Sequence, residues 1–474
     1  MKEDSSERYK NQSAKVPQQS LGRRSFVKSI AALGAGLAAS PLLSETAQAP
    51  VQTVPATPPR TRAARSSGMY LTSEETKALN GEYGPLQEWA MKFLTKWGNA
   101  FDAERFIEIE GAFGGGPTSE LETLNPAAYE EITRDGYKFP IPISTHYPFF
   151  GDRQFPLETG CKPVSPEQLK RDARMGIFCT GTCAPYLAGW NPPFGSHVVS
   201  LESSCIAYLN SVLGVRTHRE TFPSALASCV MGKTPYFGFH TDEGRKGKLL
   251  VKVETKLRNS SDYSALGWFV GSRAGIDVPV ITGLPGGEIS QYEYMSLGAG
   301  MSSTGGVGMY LVVGGTPEAA TIEEAFGNNK PEETFTFGPD ELKKTYEDIM
   351  VPGSKEVDCV VLGCPHLGIT EMMKVAELVE GKKVKEGVRF WLFAPPGIIS
   401  QAETMGTADI IRTAGARIVV ACFFQISHPV PKVFAVNSGK ACFYLRGSFP
   451  DAAVWLGNTQ KCVEAALTGE WRTV

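Results

Sequence analysis

The sequence predicts an α/β fold built on parallel sheets, and three features of its C-terminal third carry that prediction. Apolar runs at 357–362, 388–393 and 418–423 are each of strand length. Two segments of helical period separate them. Met372, Val375, Ala376 and Val379 share one face of a helix that stops at Gly381, and Ser400 with Glu403 stands at capping-box spacing before a second helix that ends near Gly415. Strands alternating with helices at this spacing imply right-handed crossovers, which cover a parallel sheet on both faces. This C-terminal α/β subdomain is drawn over about residues 350–474.

From the N-terminus, Arg23-Arg24-Ser25-Phe26-Val27-Lys28 precedes an uncharged stretch, 29–43, and the small residues Ala47 and Ala49. This is the layout of a twin-arginine export signal, so residues 1–49 are expected to send the chain to the periplasm. The uncharged stretch is too short and too rich in Ala and Gly to span a bilayer, and no stable membrane anchor is expected. The twin-arginine route carries folded proteins, often with a metal cofactor inserted beforehand. Residues 50–68 hold four Pro and three Arg and no large aliphatic residue, so they read as a linker; folding is expected from Met69 onward, giving a catalytic region 69–474. From Pro85, the residues Leu86, Trp89, Ala90, Phe93, Leu94 and Trp97 fall on one helical face, with Pro85 in the first turn and Gly98 as the stop. Residues 112–160 give no clear element, and no internal repeat is found.

Composition bounds the function. The chain has 474 residues, 42% hydrophobic and 20% charged, enough for two or three ordinary domains. Its 50 Gly and 32 Pro are scattered, which excludes a collagen-like chain. A net charge of −3 offers no basic footprint, so a small molecule rather than a nucleic acid is the expected partner. Ten Cys are too sparse for a disulfide scaffold, and their positions must decide their role.

Ligands of open parallel sheets bind at the carboxyl ends of the strands. Cys364 follows Val360-Val361-Leu362 directly in Gly363-Cys364-Pro365-His366, and Cys422 ends Ile418-Val419-Val420-Ala421. Cys179 and Cys183 lie in a loop after Met175-Gly176-Ile177-Phe178. Three thiolates brought to one point would hold iron and leave a coordination position for a substrate oxygen. Buried Cys is also a common small hydrophobe, and spacing leaves both readings open. Core packing is the expectation for Cys161, Cys205, Cys229, Cys359, Cys442 and Cys462.

Several further motifs occur in order along the chain. They are Met69-Tyr70-Leu71-Thr72-Ser73-Glu74-Glu75 with Gly81-Glu82-Tyr83-Gly84, Thr182-Cys183-Ala184-Pro185-Tyr186, and Gly195-Ser196-His197 leading to Glu202-Ser203-Ser204. Asn210-Ser211-Val212-Leu213-Gly214, Arg216-Thr217-His218-Arg219-Glu220, Gly232-Lys233-Thr234-Pro235, Gly363-Cys364-Pro365-His366 and Asn437-Ser438-Gly439-Lys440 follow. With these motifs the chain resembles, from Met69 to near its end, the large catalytic part of aconitase X, a branch of the aconitase superfamily. The resemblance implies an aconitase-like fold and a hydro-lyase that removes water from a small hydroxy acid. Cis-3-hydroxy-L-proline is the leading substrate it implies. Mevalonate 5-phosphate is the alternative within the class, and an exported solute-binding protein that has lost the chemistry is the alternative outside it.

The same resemblance places iron ligands at Cys183, Cys364 and Cys422, with Cys179 as a spare thiol. The cofactor it implies is an iron–sulfur cluster, [4Fe-4S] or [2Fe-2S], with mononuclear iron as the alternative for an exported protein. Expelling hydroxide requires a Lewis acid, while the carbon proton needs a base. Glu202, Ser203, Ser204 and His366 are the expected catalytic groups; Thr217, His218, Arg219, Glu220, His240, Ser438 and Lys440 are the expected substrate-binding groups. The smaller swivelling domain of the superfamily, which would supply a serine base, is not recognised in this chain. A separate small subunit is therefore expected to complete the site in a heterodimer. His218 stands where the family pattern has Asn, and 114–125 is shorter than the pattern.

Overall fold

Three sheets share one strand order, and in each the strands are parallel throughout. The computed structural model describes residues 68–114, 121–122, 125–145, 159, 164–327, 329–422 and 430–472. The expected export signal and all but the last residue of the expected linker lie outside the described residues, as does Cys161.

In the first lobe the sheet runs Ile177–Cys179, Ile143–Thr145, Ala112–Phe113, Val199–Ser200, which is order 3-2-1-4 by first appearance along the chain. The second lobe, Glu333–Phe337, Leu249–Val253, Pro279–Thr282, Leu311–Val312, has the same order read from its other edge. The third runs Arg417–Val419, Arg389–Phe393, Cys359–Leu362, Val433–Val436, Ala453–Leu456, order 3-2-1-4-5. Each sheet thus reverses direction of growth beside its first strand, and the crevice at that reversal is where a doubly wound sheet binds its ligand. The repeat is one of topology and has no counterpart in the sequence. A separate antiparallel ladder pairs Phe106–Glu108 with Lys233–Pro235.

The C-terminal expectations map onto real elements. The strands occupy Cys359–Leu362, Arg389–Phe393 and Arg417–Val419, and the helix Ile369–Val379 buries Met372, Val375, Ala376 and Val379. Two details differ. The expected helix opening at Ser400 begins instead at Pro396 and is broken in two, Pro396–Thr404 and Thr407–Thr413, by Gly406 in the left-handed conformation. Ser400 is interior to the first piece, its carbonyl accepting from the Thr404 hydroxyl at 2.9 Å; a proline in the first turn starts that helix and needs no capping side chain. The helix Pro85–Ala100 buries Leu86, Ala90, Met91, Leu94 and Gly98. Gly98 does not stop it: a Cβ there would stand 2.9 Å from Met69 Sδ and 3.0 Å from Pro235 Cβ, so the glycine serves close packing.

The stretch without readable elements contains strands Ala112–Phe113 and Ile143–Thr145 and the helix Pro126–Thr133, whose start is capped by Asn125 accepting from the Ala128 amide at 3.1 Å. Strands of two or three residues are too short to show a period. Between the first and second lobes lies Arg245, 1% exposed. It donates to the carbonyls of Asn210 (2.9 Å), Val215 (3.2 Å) and Phe239 (3.2 Å), to Asn210 Oδ1 at 2.9 Å, and is ion-paired with Glu318. A buried guanidinium is tolerable when its donors are engaged in this way. Among the described residues no helix is long and apolar enough to cross a membrane.

Gly363, where the chain leaves the first strand of the third sheet, has φ of 106°, and a Cβ there would stand 2.3 Å from the Phe393 carbonyl oxygen. Gly363→Ala is expected to lower unfolding free energy by at least about 1–3 kcal/mol, read by urea denaturation at constant slope.

Candidate active site

The carboxyl ends of strands in the first and third lobes deliver the expected site residues. After Ile177–Cys179, Thr180 is fixed by its amide and hydroxyl, which both donate to the Thr145 carbonyl (2.9 and 3.0 Å). Thr182 Oγ1 then accepts from the Ala184 amide at 3.0 Å, closing a short turn around Cys183. After Val199–Ser200 the chain enters helix Ser203–Ser211 through Glu202, whose carboxylate accepts from the Cys205 amide at 2.6 Å and from Ser204 Oγ at 2.7 Å. The helix cap is therefore Glu202, and neither serine fills that role. In the third lobe Cys364 follows Cys359–Leu362. Val433–Val436, the adjacent strand at the reversal, leads through Asn437 to Ser438, which caps helix Gly439–Ser448 by accepting from the Ala441 amide at 3.3 Å.

Two helix starts from different lobes thus meet, and a buried ion pair joins them. Lys440 Nζ pairs with Glu202 and also donates to Ser204 Oγ at 3.1 Å and Ser203 Oγ at 3.3 Å. Burial works against the Lys440 charge, but Glu202 and then the neighbouring Cys364 override it and hold the ammonium protonated. Burial likewise disfavours the Glu202 carboxylate, and the Lys440 charge and hydrogen bond bring it below the usual carboxylate range. The Cys183 thiol is pushed up to about 12, by burial first and by Glu202 second. Burial also raises Cys364 well above an ordinary thiol, with Lys440 opposing. Cys183 feels the charge of Cys422, and Cys364 feels those of Cys422 and Cys183, so the three thiols lie within electrostatic reach of one another.

His366 connects two of these segments: its buried Nε2 is 2.8 Å from the Ala421 carbonyl, next to Cys422. Two residues not foreseen from sequence lie nearby. Tyr444 lies in the field of Lys440, Glu202 and Cys364; the ammonium stands 5.9 Å from its ring centre. Tyr292 feels Cys364 and Cys183. Tyr444 was findable, one helical turn beyond Lys440; nothing local marks Tyr292.

Among the described residues no three His, Cys, Asp or Glu side chains are already grouped at metal-holding separation. The donor set nevertheless fits a thiophilic metal. Three thiols from separate strand ends lie within electrostatic reach of one another, and the Tyr186 hydroxyl beside Cys183 is buried with no partner among the described residues.

The remaining expected binding residues sit elsewhere, in a network around Asn210. Thr217 donates its amide to Asn210 Oδ1 at 3.1 Å and its hydroxyl to the His218 carbonyl at 3.3 Å. His218 packs edge-on to Phe237 with centroids 4.4 Å apart, and burial, then Arg219, lowers it to about 3. Arg219 donates to the carbonyls of Gly306 (2.8 Å) and Ile276 (3.4 Å). Glu220 accepts from Ser224 Oγ at 2.6 Å at the start of helix Phe222–Met231, and burial pushes it up to about 7. His240 Nδ1 is 3.0 Å from His197 Nδ1. The charges bearing most on Cys183 and Cys364 do not come from Arg219, Glu220 or either of these histidines.

Two predictions follow from these charges. Lys440→Met strands a buried carboxylate and is expected to cost about 3–5 kcal/mol of stability, most of it recovered in the Glu202→Gln/Lys440→Met double variant, measured by a urea-unfolding cycle. Glu220 binds its proton more tightly folded (about 7) than at its ordinary value of 4.5, so its contribution makes stability fall as pH rises between those values. Glu220→Gln is expected to flatten that fall in pH-dependent thermal melts.

The chain is similar along most of its length to known proteins. The aconitase X first domain matches residues 68–243, its second domain 247–347 and its third domain 357–468. The phosphomevalonate dehydratase large subunit of Thermococcus kodakarensis is 34% identical over 387 residues, 80% of this chain and 95% of that protein. Its counterpart in Methanocaldococcus jannaschii is 32% identical over 84% of this chain and 100% of that protein. The cis-3-hydroxy-L-proline dehydratase of Pseudomonas aeruginosa is 29% identical over 86% of this chain and 71% of that protein. The crystal structure of Thermococcus kodakaraensis aconitase X in its holo-form superposes with a TM-score of 0.71 and 34% identity, over 84% of this chain and 100% of that one. Matched in all three lobes and by relatives spanning most of its length, the chain belongs to the aconitase X family.

Proposed function

We propose that this chain is the large subunit of an iron-dependent hydro-lyase that dehydrates a small hydroxy acid. The observation that carries the reading is the buried Glu202–Lys440 pair, whose charges act on both Cys183 and Cys364, with Cys422 acting on the same two thiols. Those cysteines would hold the iron group, as a cluster or a single ion, and when bound it would supply the Lewis acid that takes the charge of the leaving hydroxide. The protein's own contribution is positioning. Lys440, with the amides at the starts of helices Ser203–Ser211 and Gly439–Ser448, supplies a positive field for the substrate carboxylate. Ser203 Oγ, which accepts from Lys440, is a hydroxyl able to orient an acid oxygen. Glu202 keeps Lys440 charged and in place. Thr217, Arg219 and Glu220 act as scaffold in this reading, because their hydrogen bonds run to the protein itself; His218 packs on Phe237 and His240 on His197, each leaving one buried ring nitrogen without a partner among the described residues.

Relatives named for each of the two substrates support cis-3-hydroxy-L-proline and mevalonate 5-phosphate equally. The large subunits are matched over 94–100% of their length and the hydroxyproline dehydratases over 71% and 69%. That size relation supports a two-chain enzyme in which a small subunit completes the site. The Arg23-Arg24 motif supports export, for which fractionation of expressing cells is the test.

Assaying both acids by NMR, with the anaerobically reconstituted chain and its small subunit, decides the reading. Turnover of one acid is expected, falling by at least about a hundredfold in Cys364→Ser. Undiminished turnover in that variant overturns the thiol-held iron, and tight binding of an acid without turnover favours a binding protein.

A further inference from the structure

We propose that His366 is a positioning residue that fastens the Cys364 and Cys422 segments to one another before any metal arrives. Cys183, Cys364 and Cys422 come from three separate strand ends, and loops at strand ends have few ladder bonds to hold them. The strand leading to Cys422 ends at Val419, three residues earlier. His366 lies two residues past Cys364 and is 4% exposed. Its Nε2 is 2.8 Å from the Ala421 carbonyl, and because a carbonyl can only accept, Nε2 carries the hydrogen. The next residue, Leu367, donates its amide to the Phe393 carbonyl at 2.9 Å, fixing the loop to the neighbouring strand. His366 therefore reaches the Cys422 segment through its ring, while the covalent chain ties it to Cys364.

This deepens the proposed function, and its metal arm rests on that reading; its thiol arm does not. The experiment compares the parent chain with His366→Gln, His366→Leu and His366→Asn. A Gln amide reaches the place of Nε2, whereas an Asn amide is too short and Leu has no donor. In the metal-free full chain, alkylation by iodoacetamide is followed cysteine by cysteine by mass spectrometry. Iron content is measured after anaerobic reconstitution. Leu and Asn are expected to speed Cys422 labelling about tenfold and to weaken iron retention about ten- to a hundredfold, with Gln close to the parent in both. Cys205 and Cys462, fully buried in the core, stay protected if the fold is intact. If the Leu variant exposes them, the contrast between Gln and Asn decides. Parent-like Cys422 labelling in the Asn variant overturns the proposal. If the parent takes up no iron, the iron reading fails, and the labelling contrast still decides whether His366 is the fastening.

Discussion

The buried ion pair between Glu202 and Lys440 is the interaction on which the site's architecture depends. It joins residues 238 apart in sequence, one at the start of a helix in the first lobe and one at the start of a helix in the third. Glu202 suits its position, since a carboxylate at a helix N-terminus meets free amides and the positive end of the dipole. Lys440 does not: a cation in the first turn opposes that dipole. Dehydrating both charges also costs several kcal/mol per ion, so the pair is poor value as a stabilising device. Local rules broken in this way, with two charges kept dry beside three thiols, mark a site organised for chemistry.

What could be read from the sequence follows from how far each signal reaches. Periodicity is local, so the helix burying Met372, Val375, Ala376 and Val379 and the strands around it were legible. The rule that ligands gather at strand ends then singled out Cys364 and Cys422. Two-residue strands such as Ala112–Phe113 offer no period, and the shared strand order of the lobes is a property of pairing that no single segment encodes. The spacing of Ser400 and Glu403 imitates a cap within a helix that Pro396 had already begun. The partner of Lys440 lies 238 residues away, beyond any spacing argument.

The motif around Thr217 teaches a different lesson. A motif reports residue types and cannot say where their hydrogen bonds go. Arg219 and Lys440 are both cations in motifs of the same family. Yet Arg219 donates to the main-chain carbonyls of Gly306 and Ile276, while Lys440 faces a carboxylate and two hydroxyls, and its charge acts on Cys183 and Cys364. A guanidinium held by backbone carbonyls braces loops; an ammonium held by side chains at the start of a helix has no such bracing task. The distinction needs the acceptors, which only the folded chain supplies.

The second lobe, which contributes none of the three thiols, determines where Lys440 stands. Helix Ser260–Ala274 of that lobe presents Ser261, whose hydroxyl donates to the carbonyls of Asn437 and Gly457, both at 2.9 Å. One turn on, Ser264 Oγ accepts from the Gly439 amide at 2.8 Å, taking up one of the free donors at the start of the Lys440 helix. The helix start is therefore gripped from behind by one lobe and faced by Glu202 from another. Small hydroxyls suit this task because they satisfy main-chain groups without filling the space that close packing requires. The candidate site is thus a three-lobe construction: the first and third lobes supply its chemical groups, and the second fixes the angle at which they meet.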